Sequence, residues 1–163
     1  MNNKLLSFGH GYSAHALERL LPFDDWKILA TTRSLEKSNV ITNCKVSAFI
    51  WPGTDLVSEI KNATHILLSI PPNMDGDPVF LEYGNTIASS KNLKWIGYLS
   101  TTGVYGDHRG GWVDENTPLK PTTERGIKRV LAERQWLELA KESSLPLNIF
   151  RLAGIYGLGR GPF

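Results

Sequence analysis

The sequence predicts an α/β fold with a six-stranded, doubly wound parallel sheet in the order 3-2-1-4-5-6. Three observations predict it. Short apolar runs alternate with helical or polar stretches, as in successive β-α-β units. Most of these runs are continuously apolar, which is typical of strands that are covered on both faces. A glycine pair separates the first apolar run from the first helical stretch.

Six apolar runs are the strand candidates, and four stretches between them show helical periodicity. The predicted strands are residues 4–8, 27–32, 45–50, 65–70, 94–100 and 147–152. The predicted helices are residues 13–21, 55–62, 78–89 and 122–143. Residues 34–43 are too polar for an assignment.

Length and composition predict one globular domain over residues 1–163, with 41% hydrophobic and 21% charged residues. A net charge of +2, with scattered Lys and Arg, argues against nucleic acid as a partner. Cys44 stands at the head of an apolar strand, which predicts a buried thiol. Neither a signal peptide nor a membrane-spanning apolar run is visible, so we expect no membrane partner and a cytoplasmic location.

The turn after the first strand has the pattern G-x-G-x-x-A, formed by Gly9, Gly11 and Ala14. In a Rossmann-type unit the first glycine makes the tight turn and the second lets the backbone approach a pyrophosphate. The alanine lets the helix pack closely on the strand, and the start of that helix favours a phosphate. His10 lies within the turn, where it contacts the cofactor or points at solvent. The predicted cofactor contacts are Gly9, His10, Gly11, Tyr12 and Ser13.

The end of the second strand predicts which dinucleotide is bound. An NAD site usually carries an acidic residue there, but this strand ends in Thr32, Arg33 and Ser34. A guanidinium can bind a 2′-phosphate through charge-assisted hydrogen bonds, whereas a carboxylate would repel it. These residues therefore predict NADP, with NAD less favoured. The alternative is a solvated arginine at a strand end.

Two further strand ends reach the same edge of the sheet, where ligands of such folds bind. The fourth strand ends in Ser69, Ile70 and Pro71, and the fifth ends in Ser100 and Thr101, followed by another threonine. We expect contributions to the cofactor site from both, although hydroxyls at strand ends can also be simple turn formers.

Three later segments resemble a known family. Residues 100–107 (STTGVYGD) are similar to an S-[ST]-x-x-V-Y-G-D segment, residues 113–118 to V-D-E-x-T-P, and residues 150–157 to R-x-x-x-[VI]-Y-G-P-G. Together they resemble the extended short-chain dehydrogenases/reductases, the NAD-dependent epimerase/dehydratase family. By this resemblance, Thr101 holds the position of the catalytic hydroxyl, which hydrogen-bonds the reacting oxygen of the substrate.

The family's Tyr-x-x-x-Lys pair is replaced by Arg125 and Arg129. Arginine is a poor proton donor, so Arg125 cannot do the work of the tyrosine. Arg129 could still hold the ribose or a phosphate. Tyr105, near Thr101 in sequence, is a possible substitute proton donor, and the alternative is that its ring packs.

The resemblance implies an extended family member that lacks the substrate domain. We expect an NADP-dependent oxidoreductase or epimerase acting on a sugar-like or carbonyl substrate, weak or inactive in this chain. The alternatives are a catalytically silent NADP sensor or partner-binding module, and a nonfunctional remnant. The resemblance also implies a homodimer that pairs through the helices of residues 78–89 and 122–143. No metal is expected, because His10, His15, His65 and His108 lie on different elements without metal-ligand spacing.

Overall fold

A computed structural model describes residues 3–161 and confirms the predicted sheet. Its strands are β1 (Asn3–Phe8), β2 (Trp26–Thr32), β3 (Val46–Ile50), β4 (His65–Leu68), β5 (Trp95–Thr101) and β6 (Leu147–Leu152). All neighbours pair in parallel, in the order β3-β2-β1-β4-β5-β6. The order reverses direction between β1 and β4, which sets their carboxyl ends at the centre of the ligand edge.

The helices are α1 (Tyr12–Leu20), α2 (Leu35–Ile41), α3 (Val57–Asn62), α4 (Pro78–Ala88) and α5 (Glu124–Ser143), with a 3-10 turn over Thr102–Val104. Helix α2 occupies the polar stretch that the sequence left unassigned. It is polar because only its inner side is covered, where Ser38 and Ile41 are buried. Among residues 3–161, no helix is both long and apolar enough to cross a membrane.

Side-chain caps fix where three of these helices begin. Ser34 accepts a hydrogen bond from the Lys37 N–H at 3.2 Å at the start of α2. The Asp77 carboxylate accepts from the N–H groups of Val79 and Phe80 at 2.8 and 3.0 Å, before α4. Thr123 accepts from the Gly126 N–H at 3.1 Å at the start of α5. Each cap satisfies donors that the first helical turn leaves free.

The hydrophobic core lies on both faces of the sheet. Along β1, Leu6 and Phe8 pack into the cluster beneath α3, α4 and α5, which also contains Trp136. Leu5 points to the other face, where Ala14 of α1 and Ile41 of α2 join the second cluster. Burial on both sides explains why the strand sequences are apolar without alternation.

Cys44 corrects one prediction, because its thiol is exposed rather than buried. Strand β3 begins at Val46, one residue later than expected from the apolar run. The Asn43 side-chain oxygen accepts from the N–H groups of Lys45 and Val46 at 2.8 and 2.9 Å. This turn holds Cys44 outside the strand, at the surface.

Candidate functional site

The carboxyl ends of β1, β2 and β4 border a cavity of about 460 Å³. Eight of the predicted cofactor residues line it: Gly9, His10, Gly11, Thr32, Arg33, Ser69, Ile70 and Pro71. The sequence did not single out the other lining residues: Thr31, Lys37, Ile41, Trp51, Pro52 and Pro78. The cavity therefore lies at the reversal point of the sheet, where a ligand was expected.

Gly9 makes the tight turn after β1 with a positive φ of 79°. A Cβ here would lie 2.8 Å from Ile70 Cγ1 and 3.3 Å from the Ile70 nitrogen. The Ser69 hydroxyl donates to the Phe8 carbonyl at 3.0 Å and also to the Gly9 carbonyl. Only glycine tolerates both this φ and this approach, so the turn after β1 and the chain leaving β4 form one interlocked unit.

Gly11 stands at the N-cap of α1, where no side chain caps the helix within the described residues. A Cβ on Gly11 would meet only the Gly9 carbonyl oxygen, at 3.9 Å. The space in front of the helix is therefore open, and Tyr12 and Ser13 present their backbone at its start. The Tyr12 hydroxyl itself donates to the Leu158 carbonyl at 3.2 Å. An uncapped, unobstructed helix start is suited to an anion.

We expect Gly11→Val to abolish dinucleotide binding while the protein stays folded, because the added side chain fills open space rather than protein. Titration calorimetry with NADP and with NAD, alongside circular dichroism, would measure both effects. The matched control is Gly154→Val, since Gly154 also has nothing within 4 Å of an added Cβ. Unchanged affinity in folded Gly11→Val would remove the glycine turn from the binding site.

The end of β2 holds the turn, and two cations follow it in the chain, one directly after the strand and one at the start of α2. The Gly9 N–H donates to the Thr31 hydroxyl at 3.0 Å, and the His10 N–H donates to the Thr31 carbonyl at 3.2 Å. Arg33 and Lys37 are exposed and border the same cavity. The sequence does not predict Lys37 as a site residue, because it lies in the polar stretch of residues 34–43. A serine followed three residues later by Lys37 is the sequence pattern that indicates a capped helix start at this position.

Ser100 and Tyr105 face a buried network instead of the cavity. Glu133 of α5 is fully buried and accepts from the Ser100 hydroxyl. The Arg151 guanidinium donates to the same carboxylate at 2.9 Å and to the Tyr105 hydroxyl at 3.0 Å. Burial disfavours the charged guanidinium, but the bonds to Glu133 and Tyr105 outweigh it and raise the pKa of Arg151. The ring of Tyr105 packs with Val104, which favours the packing alternative.

A second depression adjoins the cavity at Pro71 and is bordered by the start of α5. It contains Arg125, which is exposed, together with Lys128 and Arg129. Arg129 is buried, and its Nη1 donates to the Tyr98 hydroxyl and to the Leu99 carbonyl, both at 2.9 Å. The arginine at the lysine position is thus anchored on β5.

Thr101 and Tyr98 complete the arrangement at the end of β5. The Thr101 hydroxyl, half-exposed, accepts from the Gly103 N–H at 3.2 Å. Burial raises the pKa of the Tyr98 hydroxyl, although the nearby Arg129 charge opposes the rise. Tyr98 is therefore neutral at ordinary pH and acts as the hydrogen-bond partner of Arg129.

His10 and His15 lie together, so the expectation that the histidines are spread apart is wrong for this pair. Their ring centroids are 4.5 Å apart. The His10 Nε2 lies 3.1 Å from Glu18 Oε2, and its Nδ1 lies 3.1 Å from the Ser7 hydroxyl. The His10 side chain is fully buried, and burial lowers its pKa despite the opposing bond to Glu18. His10 borders the cavity, and its buried ring contacts His15 and Glu18 of α1.

Comparison with known proteins gives matches among solved structures only. No known protein family matches the chain, and no curated protein matches it significantly. A conserved protein of unknown function from Silicibacter pomeroyi DSS is 48% identical, with a TM-score of 0.90, and the match covers 99% of this chain. This chain spans 57% of the length of that protein.

Two epimerases share the architecture at low identity. UDP-glucuronic acid 4-epimerase from Bacillus cereus, solved with NAD, is 18% identical, with a TM-score of 0.74 over 94% of this chain. UDP-N-acetylglucosamine 4-epimerase from Bacillus cereus is 16% identical, with a TM-score of 0.72 over 96% of this chain. This chain spans 57% of the length of each. The family resemblance is thereby confirmed at the level of the fold.

Proposed function

We propose, from the fold that the chain shares with the NAD-dependent epimerases, that it binds a nicotinamide dinucleotide and prefers NADP. The observation that carries the proposal is the uncapped start of α1, which faces a cavity of about 460 Å³ behind the Gly9 turn. The pyrophosphate would lie against the backbone of Gly11, Tyr12 and Ser13. Ser69, Ile70 and Pro71 would cover the opposite side of the dinucleotide.

The preference for NADP rests on charge. Arg33 and Lys37 both border the cavity, and within the described part of the chain no acidic residue contributes to its lining. A 2′-phosphate brings additional negative charge and acceptor oxygens, which a guanidinium and an ammonium bind well. Ser34 is occupied in capping α2, and the same cap places Lys37 in the first helical turn. Lys37, at the start of α2, thus adds a second cation beside Arg33 and supports the preference for NADP that the sequence predicts from Arg33.

We expect Arg33→Asp to weaken NADP binding by ~1.5–3 kcal/mol, the usual worth of a hydrogen bond to a charged group. That is about a 10- to 150-fold change in Kd, and the preference should move toward NAD. Calorimetric titrations of both cofactors would measure it. Arg134→Asp is the matched control, because it makes the same charge change at an exposed position outside the cavity lining. Equal affinities of the unaltered protein for NAD and NADP would contradict the proposal.

The associated chemistry would be that of an oxidoreductase or epimerase, with Thr101 orienting the reacting oxygen of a sugar-like or carbonyl substrate. One observation favours binding without turnover in this chain. Arg125, at the position of the family's tyrosine, stays charged, and the substitute candidate Tyr105 is buried with its ring packed against Val104. We therefore propose an NADP-binding protein whose catalytic step is weak or silent.

A homodimer through α4 and α5 stays a prediction. Leu81 on α4 and Ile127, Leu131 and Leu137 on α5 are exposed hydrophobic residues of these helices.

A further inference from the structure

His10, His15 and Glu18 form a cluster in which each side chain offers one ligand atom, all within 4.8 Å of one another. The Glu18 Oε2 atom lies 3.1 Å from His10 Nε2 and 3.2 Å from His15 Nδ1. In a tetrahedral zinc site with bonds of about 2.1 Å, neighbouring ligand atoms lie about 3.4 Å apart. The two distances from Glu18 are therefore close to the spacing that a metal ion would impose, and the two histidine nitrogens lie within 4.8 Å of each other.

We propose that His10, His15 and Glu18 bind a divalent transition-metal ion of the zinc class, at the side of α1 behind the glycine turn. Two imidazole nitrogens and one carboxylate oxygen suit Zn²⁺, whereas Mg²⁺ and Ca²⁺ prefer oxygen ligands. Three protein ligands leave a fourth position for water. The site adjoins the dinucleotide cavity, whose lining includes His10, but the proposal does not rest on the proposed function.

The surroundings hold two of the three ligands, His10 and Glu18, with one ligand atom toward the cluster. The Ser7 hydroxyl bonds the Nδ1 of His10 and leaves Nε2 for the metal. The Asn43 amide donates to Glu18 Oε1 at 3.3 Å and leaves Oε2 free. Such outer hydrogen bonds are the usual support of metal-binding histidines and carboxylates.

The backbone and the exposure of the cluster are also suitable. His15 and Glu18 are three residues apart on α1 and share one helix face. The His10 side chain is fully buried, while those of His15 and Glu18 are 42% and 16% exposed. One side of the cluster is thus open for an ion to enter and for a water ligand to complete the coordination.

The test titrates tag-free protein with Zn²⁺ alone by calorimetry, and with Co²⁺ by visible absorption. A Cys44→Ser background removes the exposed thiol as a competing ligand. We expect one ion per chain and the absorption bands of four-coordinate Co²⁺. His15→Asn should weaken Zn²⁺ binding at least ~100-fold. Loss of a supporting group alone can weaken metal binding by that factor, and loss of a ligand should cost no less.

Two further variants decide the result. Glu18→Gln should also weaken binding, and His108→Asn, a histidine outside the cluster, should not. Circular dichroism would confirm that each variant is folded. We expect His15→Asn to fold without difficulty, because the His15 side chain is partly exposed. Absence of Zn²⁺ binding up to about 1 mM, or equal affinity in His15→Asn and His108→Asn, would show only a hydrogen-bonded cluster and overturn the proposal.

Discussion

Replacing Glu133 by alanine should lower the free energy of unfolding by about 3–5 kcal/mol, the cost of breaking a buried ion pair by removing one partner. The Glu133 carboxylate is fully buried and accepts from Arg151 and from Ser100. Without it, the Arg151 guanidinium would be left with a mostly buried, uncompensated charge. The pair joins α5 to β6, so its loss should loosen the edge of the sheet.

Urea unfolding followed by circular dichroism would measure this change. Glu138→Ala is the matched control, because Glu138 lies on the same helix and is exposed. We expect the control to change the free energy of unfolding by less than about 0.5 kcal/mol, as surface substitutions usually do. A loss below about 1 kcal/mol in Glu133→Ala would indicate that the network contributes little to stability.

Steady-state assays with NADPH should show no appreciable reductase or epimerase turnover of carbonyl or nucleotide-sugar substrates, although NADP binds. A positioned general acid contributes ~10²–10⁴-fold in rate. Arg125 cannot supply it, Arg129 is committed to Tyr98 and the Leu99 carbonyl, and Tyr105 is buried with its ring packed against Val104. The rate should therefore fall short of ordinary enzymes by about that factor.

The assay follows NADPH absorbance over a panel of substrates, with the folded Gly11→Val variant as the background control. Turnover near ~1 s⁻¹, the low end of ordinary enzymes, would contradict the prediction and reveal another proton donor. Tyr105→Phe and Glu124→Gln would then identify it, since Glu124 lies beside Arg125 in the second depression. A drop in rate in one of them, with NADP affinity unchanged, would name the donor.

The strand order and the glycine turn could be predicted because both follow from local patterns. Continuous apolar runs give strands, and the pattern at Gly9 and Gly11 gives the turn. Helix α2 was missed because its periodicity is carried by a buried serine, Ser38, beside Ile41. Periodicity scored on apolar residues alone passes over such a helix.

The side-chain networks could not be predicted, because they depend on where the folded backbone directs each group. Glu133 looks like any other acidic residue of a polar helix, yet it is fully buried. Its carboxylate accepts hydrogen bonds from Arg151 of β6 and Ser100 of β5. His10 precedes α1, and its ring reaches Glu18, which lies eight residues later on that helix. These partners are separated in the sequence, and no local pattern indicates that they meet in the folded protein.

The interlocking of Gly9 with Ser69 and Ile70 has a consequence for how the protein folds. The Ser69 hydroxyl reaches the Gly9 carbonyl across 60 residues of chain. The glycine turn at Gly9 therefore takes its final shape only after β4 has docked beside β1, although its motif is contiguous. Because such a contact requires closing a long stretch of chain, we expect the turn to form in the late, cooperative stage of folding. A nascent chain that has emerged only through β3 would carry the whole glycine motif without its native conformation.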